Sequence, residues 1–519
     1  LRRFLLVLLV IVAAIILILL MRSEPELARP IVGERSSAPA FIGTTAVARP
    51  FDFTVPSHPY MAPQGKNTMH SDSYSSDVHA SGGPLGRNVQ KASRVGITTA
   101  PGGQCATLTI AENQNLVVLC ASMIGFRIHL IEHRSLKLLA EYKLPMRPSY
   151  YDALIHRDKS YIMKDTSGSY FYLDDQDRIV MATSDQSIRR LAHQQKADGS
   201  WEFVLQDQWD LSSDVPHDCT TPLNWNPGGE CDPIIAVMPD HNGLIWWVTR
   251  NARYGTLNTT TGEVIGEQLD DEEIQNGFSV AQDGVYIISD HAMYRFHASD
   301  NGKPNVLWRE AYDRGKTLKV GAINQGSGTT PTLIGERYVT IADNADGRIN
   351  LLVYLRQHDF KNSRLICKTP MFTEGHSVTE NSMVAFGRSI IVENNAGYTS
   401  SYDQRDWSNA GGGIMRIDIR ADESGCDVVW HSMERSTSVV PKLSAANGLV
   451  YFYTYEQQID GKIAWYLTAL DHETGNTQFK ILTGVGREFD NNWSPISLAP
   501  DGTAYIGVSK GLIAIWDTE

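Results

Sequence analysis

Five pairs of polar residues follow hydrophobic runs of the sequence, each at the point where its run ends. The pairs are Arg250-Asn251, Asp290-His291, Asp343-Asn344, Glu393-Asn394 and Glu456-Gln457. Carboxylate and amide oxygens are ligands that Ca²⁺ prefers, and a carboxylate or an imidazole can act as a general base beside a substrate. Asn, Asp and Glu are also common where loops begin, because their side chains bond to the turn backbone. The pairs are therefore candidates for a ligand or metal site, with a purely structural role as the alternative.

The residue types within the pairs divide according to the chemistry that they can perform. The candidate calcium ligands are Asp343, Glu393 and Asn394, which supply oxygen atoms. The candidate catalytic residues are Asp290, His291, Asp343 and Glu393, and the candidate cofactor contacts are Asn251, Asn344 and Asn394.

Hydrophobic runs recur along the chain and indicate the elements that would position such a site. They begin at Leu116, Ile179, Leu244, Val285, Tyr338, Ile390, Leu449 and Ala504, with spacings of 41 to 65 residues. Val, Ile, Tyr, Phe and Trp dominate the runs, Asp, Asn and Gly turns separate them, and a second strand and usually a third follow. Three or four strands per repeat, without helical periodicity, predict an all-β, eight-bladed β-propeller.

The number of blades and the closure of the ring depend on two short stretches. Seven blades is the alternative, because residues 145–178 are difficult to assign to the repeat. Only fifteen residues follow Ala504. We therefore expect the last blade to borrow a strand from around residues 93–104, since closing the ring removes exposed sheet edges.

One repeat carries a recognisable motif. The sequence Val450-Tyr451-Phe452, followed by ALDHETG at 469–475, resembles the repeat of the pyrroloquinoline-quinone-type propellers, whose blades read Val-Tyr-Val, then Ala-x-Asp-x-x-Thr-Gly, then Trp. Partial copies lie at 254–262 and 514–517. The Trp that closes a blade corresponds to Trp308 and Trp430, with Phe479 in the blade that has the clearest motif.

The resemblance covers roughly residues 105–519 and implies a structural role for the motif. Thr-Gly would form the turn between outer strands, and the Trp would pack between blades. The superfamily includes quinoprotein dehydrogenases and the non-enzymatic propeller of the outer-membrane-protein assembly machinery. Membership therefore does not decide between an enzyme and a binding protein.

The N-terminal region is predicted to hold the propeller at a membrane. In residues 1–22, Arg2 and Arg3 precede eighteen uncharged, apolar residues at positions 4–21, enough for a helix of about 27 Å. The positive-inside rule leaves the arginines in the cytoplasm and the remainder in the periplasm or outside the cell. No small-residue cleavage site follows, which favours an anchor over a cleaved signal peptide, the alternative.

The next stretch differs in composition from both of its neighbours. Residues 23–100 are rich in Pro, Ser and Gly, which predicts an extended, solvated tether. Residues 68–79 contain enough His, Asp and Tyr to suggest the alternative that they lie along the folded domain. The propeller is assigned to residues 101–519.

The six cysteines suit an oxidising compartment, where an even number permits disulfides. Cys219 and Cys231 flank a polar loop and are the best candidate pair. Cys105 and Cys120 occupy mirrored positions of a predicted hairpin. Cys367 and Cys426 remain and are paired by elimination.

Charge and composition limit the class of function. The formal net charge of −13 argues against a nucleic-acid partner, which requires clustered cations. We expect an extracytoplasmic propeller, anchored in the inner membrane through residues 4–21, that acts as a ligand-binding or scaffolding component of a cell-envelope complex with a protein partner. The alternative is a funnel-site enzyme, either a dehydrogenase dependent on pyrroloquinoline quinone and calcium or a calcium-dependent ester or lactone hydrolase. Calcium ranks ahead of the quinone as a cofactor candidate.

Overall fold

The structure is a computed structural model. It describes residues 38–518, except for 96–103, 123–124, 159–160, 163–164, 217–230, 321, 358–362, 400–409 and 459–460, together with residues 8–9 and 11–13. Most of the predicted anchor lies outside the described residues. Among the residues that are described, no helix has the length and apolar character needed to cross a membrane.

Eight sheets form the blades of a β-propeller, as predicted: seven have four antiparallel strands, and the sheet of blade 7 has six because β1 (Phe41–Gly43) and β2 (Val78–His79) join its two edges. Before the first blade, the chain forms these two strands and β3 (Val89–Val95). Blade 1 contains β4 (Gln104–Ile110), β5 (Leu116–Ser122), β6 (Gly125–Ile131) and β7 (Leu138–Lys143). Helix α1 (Ser149–His156) leads to blade 2, with β8 (Tyr172–Leu173), β9 (Ile179–Thr183), β10 (Ser187–Gln195) and β11 (Trp201–Asp210). Blade 3 contains β12 (Ile234–Pro239), β13 (Ile245–Thr249), β14 (Arg253–Leu257) and β15 (Val264–Gln268).

The second half of the ring repeats this pattern. Blade 4 contains β16 (Ser279–Ala281), β17 (Gly284–Ile288), β18 (Ala292–Ala298) and β19 (Pro304–Ala311). Blade 5 contains β20 (Thr332–Ile334), β21 (Tyr338–Ala342), β22 (Asn350–Leu355) and β23 (Leu365–Pro370). Blade 6 contains β24 (Val384–Phe386), β25 (Ser389–Glu393), β26 (Ile414–Ile419) and β27 (Cys426–Ser432). Blade 7 contains β28 (Lys442–Ser444), β29 (Leu449–Gln457), β30 (Ile463–Asp471) and β31 (Thr477–Val485). After a 3-10 turn (Arg487–Phe489), blade 8 contains β32 (Ile496–Leu498), β33 (Ala504–Val508) and β34 (Gly511–Asp517).

The predicted hydrophobic runs correspond to the second strand of every blade. All five residues are buried in each of β9, β13, β17, β21, β25 and β33, because neighbouring blades cover both faces of the sheet. Outermost strands such as β15 and β27 are mostly half-buried or exposed. Burial on both faces produces a continuous apolar run rather than an alternating one, which explains why these strands are visible in the sequence.

The ring closes with a strand from the N-terminal side of blade 1. Strand β3 pairs antiparallel with β34 and completes blade 8. The kind of closure agrees with the prediction, but the strand begins before the expected residues 93–104. The stretch 145–178, which left seven blades open, contains α1 and the two-residue inner strand β8.

Trp430 and Gly475 show how neighbouring blades fit together. The Trp430 indole of blade 6 donates to the carbonyl of His472 in blade 7 at 2.9 Å. A Cβ on Gly475, whose φ is +72°, would lie 2.5 Å from the Trp430 ring. Only glycine leaves room for this contact and accepts the left-handed backbone at no cost. The Thr-Gly turn and the blade-closing Trp therefore contact each other between blades.

Disulfides connect strands both within and between blades. Cys105 and Cys120 join β4 to β5 within blade 1. Cys367 and Cys426 join the outermost strands of blades 5 and 6. Both of these predicted pairs are confirmed. Cys231 is disulfide-bonded, and Cys219 lies outside the described residues.

Candidate functional site

The meander of each blade defines two faces of the ring. The connections between blades and the turns between second and third strands lie at one end, which we call the loop face. The turns that follow the first and third strands lie at the other end. Residues 38–65 first follow the outer edge of blade 7 and then cross that second face, where Phe51 bonds to Ala445 and Ala62 bonds to Leu173. We call these residues the strap and this end the strap face.

The central channel is filled by the chain itself. Residues 66–79, which we call the plug, are almost entirely buried and follow the inner wall of the ring. Inner-strand N–H groups donate to the plug at 2.7–3.5 Å, from Ile110, Leu173, Val280, Leu333, Ala385, Leu443 and Leu498. In the remaining blade, Val237 donates to Tyr170 at 3.5 Å. The plug thus satisfies donors in seven blades that a channel without it would leave unpaired.

This arrangement differs from the predicted solvated tether over residues 23–100. The backbone is extended, as the prolines require, but residues 38–95 lie against the propeller. Strand β1 pairs with the outer strand of blade 7 and β2 pairs with its inner strand. The alternative that residues 68–79 contact the folded domain is what the structure shows.

A buried ion pair holds the plug. The Lys442 Nζ of blade 7 lies 2.5 Å from Asp77 Oδ1 and 3.0 Å from the carbonyl of Met69. The second carboxylate oxygen of Asp77 accepts from Ser382 of blade 6 and lies 3.4 Å from His70 Nδ1. Burial alone would raise the pKa of Asp77, but the Lys442 ammonium and His70 outweigh it and lower the pKa. Asp77 is therefore the charged centre of the plug.

Asp72 occupies a different electrostatic environment only five residues away. Its carboxylate accepts from the Ser76 hydroxyl and from the backbone of Tyr74 and Ser76. Burial nevertheless raises its pKa to about 7, because these bonds do not offset the desolvation of the charge.

Asp290 and His291 lie on the loop face and form one cluster with the following connection. Asp290 Oδ1 accepts from His291 Nδ1 at 2.9 Å and from the backbone of Glu273 at 2.8 Å. Arg314 contacts Asp290 Oδ2, and its Nη1 lies 2.9 Å from His291 Nε2. Both carboxylate oxygens of Asp290 and the Nε2 of His291 therefore take part in bonds that hold neighbouring loops together.

Asp343 and Asn344 brace the loop face in a similar way. Both oxygens of Asp343 accept from Asn350, through its backbone at 2.7 Å and its side-chain amide at 2.7 Å. Asn344 donates to the carbonyls of Gln325 and Arg314. Burial raises the pKa of Asp343. The pair shapes the turn that follows β21.

Glu393 and Asn394 have different environments although they are adjacent. The Asn394 amide is saturated by backbone groups of Val378, Ala396, His376 and Gly412. Glu393 is fully buried and accepts one bond, from Asn381 Nδ2 at 3.4 Å. Its Oε2 has no hydrogen-bond partner among the residues that the structure describes.

These bonds do not fit a calcium site shared by Asp343, Glu393 and Asn394. Asp343 and Asn394 use their oxygens within their own loops, and of these three residues only Glu393 keeps an oxygen that bonds to none of the described residues. In the described part of the chain, no group of three or more His, Cys, Asp or Glu side chains is arranged to hold a metal ion.

The remaining candidates are also tied locally. Arg250 pairs with Glu273 at 2.9 Å, and Glu456 pairs with Lys480 at 2.9 Å. Asn251 is exposed, and its backbone N–H donates to Asp232. The five pairs do lie at the ends of second strands, but each interacts mainly with its own blade or the neighbouring connection.

Glu380 is a buried residue of the loop face that sequence reasoning missed. It lies between blades 5 and 6 and is 3.5 Å from Gln275 Nε2. Burial raises its pKa to about 8, and the nearby carboxyl of Glu393 adds to the effect. Glu380 follows no strand, so the pattern used to find the five pairs could not identify it.

The loop face also exposes large apolar side chains. Leu154 in α1 is 77% exposed, and Leu318 and Val320 between blades 4 and 5 are 56% and 63% exposed. Met433 between blades 6 and 7 is 72% exposed. All four belong to connections between blades.

Comparisons with known proteins do not assign the chain to a family. No family model matches the chain, and no curated protein does. Among solved structures, Sqt1 of Saccharomyces cerevisiae has a TM-score of 0.43 and 10% identity, covering 90% of this chain and 100% of that one. A streptogramin B lyase structure has a TM-score of 0.37 and 10% identity, covering 82% and 97%. The Cps50 (Swd1) β-propeller domain from Myceliophteria thermophila has a TM-score of 0.34 and 11% identity, covering 66% and 94%.

Proposed function

We propose that this chain is a membrane-anchored, extracytoplasmic scaffold whose loop face binds a protein partner in the cell envelope. The observation that carries the proposal is the filled channel. The plug occupies the space where a funnel ligand would enter, and it bonds to the inner strands of seven blades. The loop face remains available to a partner, and it exposes Leu154, Leu318, Val320 and Met433.

The course of the N-terminal segment supports the same arrangement. Ala38 packs with Leu482 and Val485 near the end of β31, and the carbonyl of Ala40 accepts from Leu482 at 3.0 Å. Strand β31 ends at the loop face, so the chain reaches the propeller from that side. The sixteen residues 22–37 can span at most about 55 Å. An anchor at residues 4–21 would therefore keep the loop face within reach of a membrane-bound partner.

The test is to make the loop face polar and follow the assembly of the chain. Leu318→Asp and Val320→Asp are introduced together, because both side chains are more than half exposed and their replacement removes no core contact. The matched control carries Val306→Asp and Leu365→Asp on the rims of blades 4 and 5. Complexes are extracted from membranes in mild detergent and sized by native electrophoresis.

We expect a complex larger than the single chain, lost in the loop-face variant and retained in the rim variant. Equal circular dichroism spectra and melting temperatures would show that both variants fold. Absence of a larger complex in the unmodified chain, or equal loss in both variants, would refute the proposal.

The enzyme alternative has a separate measurement. The chain is purified without chelator, and its metal content and absorption spectrum are recorded before and after incubation with Ca²⁺ and pyrroloquinoline quinone. Stoichiometric calcium together with a bound quinone would replace the scaffold proposal with that alternative, and Glu393 would be the first residue to substitute.

A further inference from the structure

The middle of the strap is held on the propeller by side chains rather than by its backbone. The strap backbone bonds to the blades at Phe51 and again at Ala62. The residues between these two points, 52–61, make no backbone hydrogen bond to a blade. Within this span His58 and Met61 are buried, and the other residues are half-buried or exposed. The span can therefore move away from the blades without breaking any sheet, provided that these two side chains leave their places.

His58 packs against His241, which lies in the turn between β12 and β13 of blade 3. The two ring centroids are 4.4 Å apart, and His58 is 8% exposed. The Nδ1 atom of His58 accepts a hydrogen bond from the Tyr60 N–H at 3.2 Å. Because Nδ1 is the acceptor, the neutral ring carries its proton on Nε2. Among the residues that the structure describes, the Nε2 atoms of both imidazole rings have no hydrogen-bond partner.

These contacts suit a neutral His58 and oppose a charged one. A second proton would have to occupy Nδ1, where the Tyr60 N–H already points, so protonation would break the bond that orients the ring. Burial lowers the pKa of His58 from 6.5 to about 3, and the neighbouring His241 adds to the effect. The preference for the neutral ring thus rests on the hydrogen bond from Tyr60 and on the ring contact, and the pKa agrees with both.

The other polar groups around the two rings do not reverse this preference. The carbonyl of Pro239 favours the charged form of His58, but its effect is smaller than that of burial. Asp240 and Asp283 act on His241 and favour its charged form, although burial still lowers the pKa of His241. A charged His241 would in turn disfavour a second charge on His58. A protonated His58 is therefore more stable in solvent than against blade 3.

We propose that His58 is an acid-sensitive latch: the middle of the strap lies closed on blade 3 while His58 is neutral, and it opens when His58 binds a proton. Opening removes Met61 from the apolar cluster that it shares with blades 2 to 4, so acid exposes a new surface on the strap face. This surface lies at the opposite end of the ring from the proposed partner surface, and the latch does not depend on the scaffold function.

The direction and size of the response follow from the two protonation equilibria. Above pH 6.5, the ordinary pKa of histidine, His58 is neutral in the closed and the open strap, and the balance between them does not depend on pH. Below 6.5 the open strap binds a proton that the closed strap excludes. The ratio of open to closed strap should therefore rise by nearly tenfold for each pH unit, and by about a hundredfold at pH 4.5.

Met61 reports the opening because it is only 2% exposed when the strap is closed. The 519-residue chain receives a pulse of photochemically generated hydroxyl radicals at pH 7.5, 6.5, 5.5 and 4.5, and methionine oxidation is measured by peptide mass spectrometry. The exposed Met433 is the internal reference, and the buried Met383 reports unfolding of the blades. We expect oxidation of Met61 relative to Met433 to rise below pH 6.5 while Met383 stays protected.

Two substitutions separate titration from packing. His58→Asn keeps a hydrogen-bond acceptor close to the position of Nδ1, and His58→Phe keeps an aromatic ring, but neither new side chain titrates. Both should abolish the rise in Met61 oxidation between pH 7.5 and 4.5. His297→Asn, at an exposed position of blade 4, is the matched control and should leave that rise unchanged. Equal protection of Met61 at both pH values in the unmodified chain, an undiminished rise in either His58 variant, or oxidation of Met383 in parallel with Met61 would overturn the proposal.

Discussion

Replacing Glu393 by Gln should stabilise the protein, although the substitution removes a charged residue type from a polar cluster. Glu393 is fully buried at the end of β25, and in the described part of the chain its Oε2 has no hydrogen-bond partner. Burial raises the pKa of Glu393 to about 8, and the negative charge of Asp77 contributes in the same direction. The side chain is therefore mostly protonated in the folded protein at neutral pH, and Gln has nearly the same shape.

The size of the effect follows from the two protonation equilibria. In the unfolded chain the carboxyl has its ordinary pKa of 4.5. Because the folded pKa is raised, this group's contribution to stability is complete below 4.5 and is lost as the pH rises through about 8. At pH 7, about 2.5 pH units above the unfolded value, the loss is about 3 kcal/mol at 1.36 kcal/mol per unit. Gln escapes this loss because it does not titrate.

The assay is urea-induced unfolding of both proteins at pH 5, 7 and 9. We expect nearly equal unfolding free energies at pH 5, a gain of about 3 kcal/mol for Glu393→Gln at pH 7, and a larger gain at pH 9. Glu473→Gln, at an exposed turn, is the matched control and should change little at any pH. A variant that is less stable than the parent at pH 9 would refute the reasoning.

Two further predictions concern contacts between blades and the plug. Gly475→Ala should lower the free energy of unfolding by about 2–4 kcal/mol, because the new Cβ meets the Trp430 ring and the left-handed backbone disfavours alanine. In a double-mutant cycle with Trp430→Ala, the two effects should be strongly non-additive. Simple additivity would contradict the contact between the two residues. Asp77→Ala should cost about 3–5 kcal/mol, because it leaves Lys442 buried and unpaired, whereas Asp77→Leu with Lys442→Met should cost much less. Equal losses for the single and double replacements, measured by urea unfolding, would argue against the buried ion pair.

The sequence predicted the ring because its second strands are buried on both sides. A run such as Ile245–Thr249 has no polar face, so it stands out against the turns around it. The closing strand β3 lies at the rim of blade 8 and includes Gln90, Lys91 and Arg94. Its signal is weak, which explains why its position was predicted less well than the strands of the core.

The plug was harder to predict because its stability comes from distant partners. Asp77 bonds to Lys442, 365 residues further along the chain, and to Ser382, 305 residues away. The segment has no hydrophobic periodicity that would distinguish it from a soluble linker. Its mixture of His, Asp and Tyr was the available signal, and it becomes informative only when the channel that receives these residues is known.

The position of the plug also changes what counts as the folded unit. The plug lies between β1 and β3 in the sequence, and it bonds to blades at both ends of the chain, from Ile110 in blade 1 to Leu498 in blade 8. A propeller that began at residue 101 would lack both the closing strand of blade 8 and the acceptors for seven inner strands. The outer edge of blade 8 would then be exposed, and the inner-strand N–H groups that face the channel would be unpaired. The strap, plug and eight blades therefore form one cooperative structure. The pairing that completes it joins segments separated by more than 400 residues. Contacts between such distant segments favour slow folding.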